Sequence, residues 1–464
     1  MAYDYVFVGA GPANLVAASI LLERGASNLL ILEQGSALTR RGCPGLRCNS
    51  CTYCNGNLCH VSGGEGGSSA RFGNKLCYFP ASNGILNYFA KDIVDSSYEY
   101  LDEILGPYFD SRFNHPSASP DTENDHSSHR SESTRKQYVS KILLRSEFQQ
   151  LTERLVSRPR QAGLLRLNSS VTQILREGQS GFLVFTEDGE RISARHLVLG
   201  SGRSSYAFLQ QVLPSLNAEW HPACPDIGIR LEVPSAYFTE ECTYQPDPKY
   251  KFVHPPNGSS RTFCGCHGGI IVPVKFGQSY YADGAFGDKL SASSNLAFMT
   301  RSDEPISNHL LERWCGGINA AAGDTLLLGH VSLSLKSTQQ LVQAIMALVP
   351  NWPTDAHRAM MSDLLRLTLG DKVNLLRRSE CSSASVKVYA PAIDLYWPRL
   401  RLSTGLETAV PGLFALGDIT GVSRGFVQAM VSGAAWAVAR LNASHRLNTV
   451  HSLQKEHTEW FASV

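Results

Sequence analysis

Five cysteines, Cys43, Cys48, Cys51, Cys54 and Cys59, fall within seventeen residues, with His60 directly behind them. Thiolates at two-residue spacing are the ligand set of zinc and of iron–sulfur clusters, so Cys43, Cys48, Cys51 and Cys54 are candidate metal ligands. Two other readings stay open. Cys43-x4-Cys48 and Cys54-x4-Cys59 have the spacing of a redox dithiol, and reduced thiols packing a turn-rich segment would give the same pattern.

A second group points to anion binding. The segment from Asp4 to Asn14 runs from an apolar strand through Gly9 and Gly11 into a helix, and the apolar run Leu29 to Leu32 ends in Glu33 and Gln34. Gly9 permits the tight turn, and Gly11 lets the backbone approach a pyrophosphate whose charge rests on the amides and dipole of the helix opening at Pro12 and Ala13. Glu33 is placed to accept hydrogen bonds from ribose hydroxyls. Strand, turn, helix and acid-ended strand within ~30 residues make the dinucleotide-binding βαβ unit. Asn14 departs from the pattern, because Gly or Ala normally stands there. Its side chain is expected to widen the turn or to sit near the phosphates.

A matching element lies near the other end, where Leu413 to Leu416 leads into Gly417 and Asp418, then a glycine loop through Gly425, Phe426 and Val427 and a helix of small residues. Two such elements framing one ligand indicate FAD. Asp418 would accept from a ribityl hydroxyl, and the helix starting near Arg424 would point its positive end at the pyrimidine edge of the flavin ring. The loop Gly63 to Gly67, with Gly66, Gly67 and Ser68, offers unobstructed amides for phosphates or a flavin face; a flexible surface loop would read the same. Lys75 stands at the flavin edge or in solvent. Gly200 and Gly202 form a strand-end loop passing the flavin rather than a second nucleotide site, because no ribose-reading acid or base follows them.

Polar groups further along are candidates for substrate chemistry. Arg230 and Arg261 could clamp a carboxylate, His267 could act as base, and Tyr281 with Asp283 could donate or accept near the flavin. His267, Tyr281 and Lys75 are thus the candidate catalytic residues.

The elements that must position these groups follow from length and periodicity. A chain of 464 residues divides into two or three domains. The expected fold is α/β: a Rossmann-like FAD-binding domain, with a parallel sheet and β-meander, plus a second mixed α+β substrate domain. Residues 1–220 supply the first part of the FAD-binding domain, 221–384 the substrate domain and 385–464 the second FAD part. A polar insertion over 110–137 reads as a solvated loop. The meander is expected from Ser170 to Leu199, and helices near Ser146 to Val156, Thr338 to Leu348 and His357 to Leu369.

Charge and hydropathy narrow the function. A net charge of +1 gives no footprint for nucleic acid, and no apolar run approaches the ~20 residues of a membrane span. The first strand, opening at Tyr3, leaves no room for a leader, so the expected location is the cytoplasm, with reduced thiols. The expected partners are a small-molecule substrate and an electron donor or acceptor.

The Gly417-Asp418 element with Ser423 to Ala429, the segment Ser62 to Leu76, the strand Asp226 to Val233, Arg261 to Gly269 and Val388 to Ile393 resemble the poorly characterised bacterial FAD-dependent dehydrogenases. The resemblance implies the two-domain flavoprotein fold of the glutathione-reductase superfamily and no particular substrate. The chain departs from it at Asn14, and at Glu65 and Arg71 around the glycine loop. The expected function is FAD-dependent oxidation or reduction of a small molecule by hydride transfer through flavin N5. The alternatives are a flavin monooxygenase, a disulfide reductase using the thiols from Cys43 to Cys59, and a non-catalytic FAD- and metal-binding scaffold.

Overall fold

The computed structural model describes residues 2–47, 49–51, 58–73, 75–78, 81, 83–108, 133–136, 140–178, 181–202, 205–221, 224–235, 249–287, 289–304, 306–334, 337–376, 385–394 and 399–461. Tyr3–Val8 and Leu29–Leu32 pair in parallel, and both become wholly buried toward their C-terminal ends. Near-continuous apolar runs suit this role, since a parallel sheet is covered on both faces. The seven-stranded sheet has the order Leu165–Arg166, Leu29–Leu32, Tyr3–Val8, Arg191–Leu199, Gly181–Thr186 and Val171–Glu177, and Leu413–Ala415 also pairs with Arg191–Leu199. The last three strands of that order are the expected antiparallel meander. Their alternating burial, clearest in Gly181–Thr186, is what period-two sequences give when one face is solvated.

Helices cover both faces. On one, Ile20, Leu151, Leu155, Val431 and Trp436 share a core; on the other, Val6, Leu30, Val184, Leu209 and Leu213 do. The helix Pro12–Glu23 crosses the C-terminal helix Phe426–Phe461 so closely that a Cβ at Gly433 would lie 2.0 Å from the Ala13 carbonyl oxygen. The run of small residues noted in the sequence is therefore what lets two backbones touch.

The second sheet is antiparallel, in the order Leu327–Ser332, Ser385–Asp394, Asp226–Pro234, Ser293–Ser302, Gly258–Cys266, Lys249–His254 and Ser133–Lys136. Leu311, Ile318, Leu341, Ile345 and Leu364, from the helices Asn308–Ala321, Thr338–Leu348 and Asp355–Leu376, pack against its Ile227, Ile229 and Phe298. A hairpin of Ile270–Phe276 and Ser279–Ala285 lies beside it.

Two expected boundaries need correction. Ser385–Asp394, expected in the FAD-binding domain, is an inner strand of the second sheet, paired with Asp226–Pro234 and Leu327–Ser332 and buried along most of its length. Its apolar residues fit either sheet, and the antiparallel partners decide which. Ser133–Lys136, expected within a solvated loop, pairs with Lys249–His254 at the sheet edge, where polar strands are tolerated. The rest of the insertion lies outside the described residues. Among the described residues no helix is long and apolar enough to cross a membrane.

Candidate functional site

A cleft with about 1150 Å³ of atom-free space, open mouth included, runs from Glu33 and Gln34 past the N-terminus of the first helix to Asp418 and Phe426. Both glycine signals of the sequence open onto it. Gly9, Gly11, Pro12, Ala13, Gly67, Ser68, Gly200, Gly202 and Gly425 line it with the residues just named.

Backbone geometry explains the glycines. Gly9 has φ +97°, and a Cβ there would lie 2.8 Å from the Gly200 carbonyl oxygen, so the two strand-end loops touch. Gly67, at φ +80°, leaves a Cβ only 3.1 Å from Pro12 Cδ. Side chains at either position would close the cleft at the helix N-terminus, where unpaired amides and the helix dipole favour an anion.

The Glu33 carboxylate accepts from Ala10 N at 2.8 Å, Gly35 N at 2.8 Å and Gly64 N at 3.2 Å. These bonds fix it at the cleft wall, and two oxygens with about four acceptor sites leave capacity for a ligand hydroxyl. The glycine loop is equally fixed rather than flexible. Arg41, 1% exposed, donates to the carbonyls of His60, Val61, Glu65 and Gly67. Burial pulls its pKa down to about 10, against the opposing charge of Glu33. Glu65, wholly buried, accepts from Leu38 N at 2.8 Å and from Arg160 Nη2 at 2.7 Å. The acid that departed from the family pattern is thus the loop's internal anchor.

Several expected cofactor residues do not line the cleft. Asn14 is fully buried and donates from Nδ2 to the carbonyls of Val8 and Gly9, so it ties the helix to the strand end and does not line the cleft. Its amide fits because Gly200 has no side chain: a Cβ there would lie 2.4 Å from Asn14 Oδ1. Gly66 packs on Thr152 and Ala70, Gly417 donates its N–H to Ser432 Oγ, and Val427 is buried. Ser169, Ser170, Ser205 and Phe208 do line the cleft, and sequence reading missed them. Nothing in their spacing marks them. Ser169 arrives because its N–H bonds the Glu33 carbonyl at 2.9 Å.

The substrate-side candidates separate. Arg261 is corrected to an ion-pair residue: Nε donates to Asp226 at 2.6 Å and Nη2 to Asp394 at 2.6 Å. The same carboxylates take Arg301 and Arg424, each at 2.5 Å. Arg230 is likewise held inside the protein, 1% exposed, with Nη1 donating to the Cys264 carbonyl at 2.9 Å and to Asn295 Oδ1 at 2.7 Å. A buried guanidinium requires such partners, which leaves it as a fixed charge and not a mobile clamp. Tyr281 belongs to the second core at 5% exposure. His267 is half-buried, with Nδ1 3.1 Å from Ser294 Oγ. Lys75, on the short strand Lys75–Cys77, lies near Cys264 and Cys266 and favours their charged forms.

Of the candidate metal ligands, Cys48 and Cys54 lie outside the described residues. Cys43 packs with Cys59 against the second core, Cys51 packs against a cluster with Ile271 and Tyr280, and Cys59 Sγ accepts from Lys275 N at 3.5 Å. Among the described residues no group of three or more His, Cys, Asp or Glu is placed to hold a metal ion.

No family model and no curated protein matches the chain. Among solved structures it is similar to a flavoprotein/dehydrogenase from Cytophaga hutchinsonii, at 12% identity and a TM-score of 0.41, over 96% of this chain and 79% of that one. It is similar to FqzB at 15% identity and a TM-score of 0.35, over 94% of this chain and 76% of that one. A steroid monooxygenase bound to NADP is similar at 18% identity and a TM-score of 0.24, over 44% of this chain and 26% of that one. Likeness this distant adds nothing to the topology described above.

Proposed function

We propose that the chain is a FAD-dependent oxidoreductase acting on a small molecule. The observation that carries this reading is the single cleft joining the first glycine turn and Glu33 to Asp418 and the start of the C-terminal helix. Gly9, Gly11 and the amides behind Pro12 would hold the diphosphate, Glu33 the adenosine ribose, and Asp418 the ribityl chain. Asp418 Oδ1 already accepts from Gly425 N at 3.3 Å, which fixes the turn before the helix. When bound, FAD supplies a ring that takes a hydride from a substrate C–H bond. On the chain's side, His267 is the candidate for accepting the companion proton, with Ser294 orienting its ring through Nδ1, and Lys75 is the candidate cation at the ring edge.

The visible spectrum of the purified protein, before and after dithionite, tests the cofactor. Bleachable flavin bands are expected in the native protein. They should be lost in Gly9→Val, whose side chain meets Gly200. A colourless protein that ignores added FAD overturns the reading. Anaerobic mixing with candidate substrates then tests the reaction: a dehydrogenase bleaches its flavin with substrate alone, and a monooxygenase does not.

A further inference from the structure

Cys264-Gly265-Cys266 closes the strand Gly258–Cys266 where its pairing slips. Phe263 faces Ala297 while Cys266 faces Asn295, so the cysteine strand carries one extra residue, a β-bulge of the kind that re-aims side chains. Cys264 adopts φ +49°, a left-handed conformation that costs a non-glycine residue about 1 kcal/mol. In a regular strand two such cysteines stand about 6.8 Å apart at Cα, the outer limit for a disulfide. The left-handed turn shortens that span, and Cys266 Sγ lies close enough to its neighbour to donate to the Cys264 carbonyl at 3.5 Å.

The surroundings favour a thiolate. The buried Arg230 guanidinium donates to the Cys264 carbonyl at 2.9 Å, and Lys75 adds a second positive charge. A Cβ at Gly284 would lie 2.4 Å from Arg230 Nη1 and 2.7 Å from Cys266 Sγ, so glycine is what admits cation and sulfur together. The neighbouring Cys266 thiol, Lys75 and Arg230 pull the Cys264 thiol below its ordinary range, against desolvation and Asp283, while Cys266 is pushed up. Cys315 shows the contrast: in the second core, burial and the Glu312 carboxylate both hold its proton on. Accessibility differs within the pair as well, Cys264 being partly exposed and Cys266 2% exposed.

We propose that Cys264 and Cys266 are a redox-active dithiol–disulfide pair that exchanges with low-molecular-weight disulfides, Cys264 attacking and Cys266 resolving. The Cys264 thiolate attacks one sulfur of the co-reactant, whose S–S bond breaks and releases one half as a thiolate. Cys266 then loses its proton to that leaving group and attacks Cys264 Sγ, expelling the second half, which takes a proton from solvent. One disulfide is consumed, one forms within the chain, and two electrons pass to the co-reactant, which leaves as two thiols. The assignment stands independently of the cofactor reading.

Oxidised glutathione tests it on the full chain, with peptide mapping after alkylation. The peptide containing both cysteines should lose two hydrogens in the native protein. Cys266→Ser should trap a glutathione mixed disulfide on Cys264, and Cys264→Ser should trap none on Cys266. At neutral pH, Cys264 should alkylate more than about tenfold faster than Cys315. The proposal is overturned if both thiols survive glutathione in the folded protein, or if Cys266 is the residue trapped. Should a serine variant fail to fold, the mass of the wild-type peptide and its alkylation rates decide alone.

Discussion

His357 places a pH-dependent contribution to stability in a single buried ring. It is fully buried, with Nδ1 2.7 Å from Thr354 Oγ1, and burial holds its pKa at about 4 against the ordinary 6.5, with Asp226 opposing weakly. Between those values the unfolded chain binds the proton and the native chain does not. The stabilisation is therefore complete above about pH 6.5 and falls away as pH drops toward 4, a total of about 3 kcal/mol. Melting temperature followed against pH checks this: His357→Asn should lose that part of the slope, and an identical slope would refute it. At this scale the sequence gives residue type and spacing but not orientation. That Gly9, Gly11 and Glu33 would share one cleft was legible because a glycine turn and a strand-end acid stand at fixed offsets. Arg261 was not, since the carboxylates that occupy it lie 35 and 133 residues away. Asn14 was misjudged for a similar reason, as only the neighbouring loop at Gly200 shows that there is room for it to turn inward.

Two helical glycines make opposite predictions at the scale of elements. Gly433→Ala drives a methyl group into the Ala13 carbonyl, so the crossing of the first and last helices must open, at a cost of about 3 kcal/mol. Gly317, exposed within Asn308–Ala321, has nothing within 4 Å of its Cβ position, and Gly317→Ala should stabilise the protein by up to about 1 kcal/mol through helix propensity. Urea denaturation of the two variants side by side would show shifts of opposite sign. Elements were legible where periodicity is strong, as in the alternating Gly181–Thr186 or the helix Thr338–Leu348. Ser133–Lys136 was not, because Ser, Thr, Arg and Lys carry no apolar alternation and become a strand only when Lys249–His254 offers an edge.

Across the whole molecule, Asp394 ties the second sheet to the turn that opens the C-terminal helix. Asp394, 2% exposed, accepts from Arg261 on one side and Arg424 on the other. Asp394→Asn leaves Arg424 without its buried counter-charge and Arg261 with Asp226 alone, for a loss of about 3 kcal/mol in unfolding free energy. Flavin affinity should fall as well, because Arg424 directly precedes Gly425 at the cleft. Chemical denaturation and FAD titration of the variant would measure both effects, and unchanged values would show the pairs to be dispensable. The change in strand pattern near Asp226 was legible, and Asp226–Pro234 does enter an antiparallel sheet. The return crossing was not, since an apolar strand such as Ser385–Asp394 does not announce which sheet will accept it.

The strand Leu413–Ala415 slots in parallel beside Arg191–Leu199, and the wall it carries completes a pocket begun at Gly9. The two halves of that wall leave the ribosome roughly four hundred residues apart, a separation that makes their meeting a late event in folding. A nascent chain therefore carries a half-built cleft until Leu413–Ala415 has been made. On the reading proposed above, flavin could be enclosed only once translation has passed the glycine loop through Gly425, so it would not template the early steps of its own enclosure.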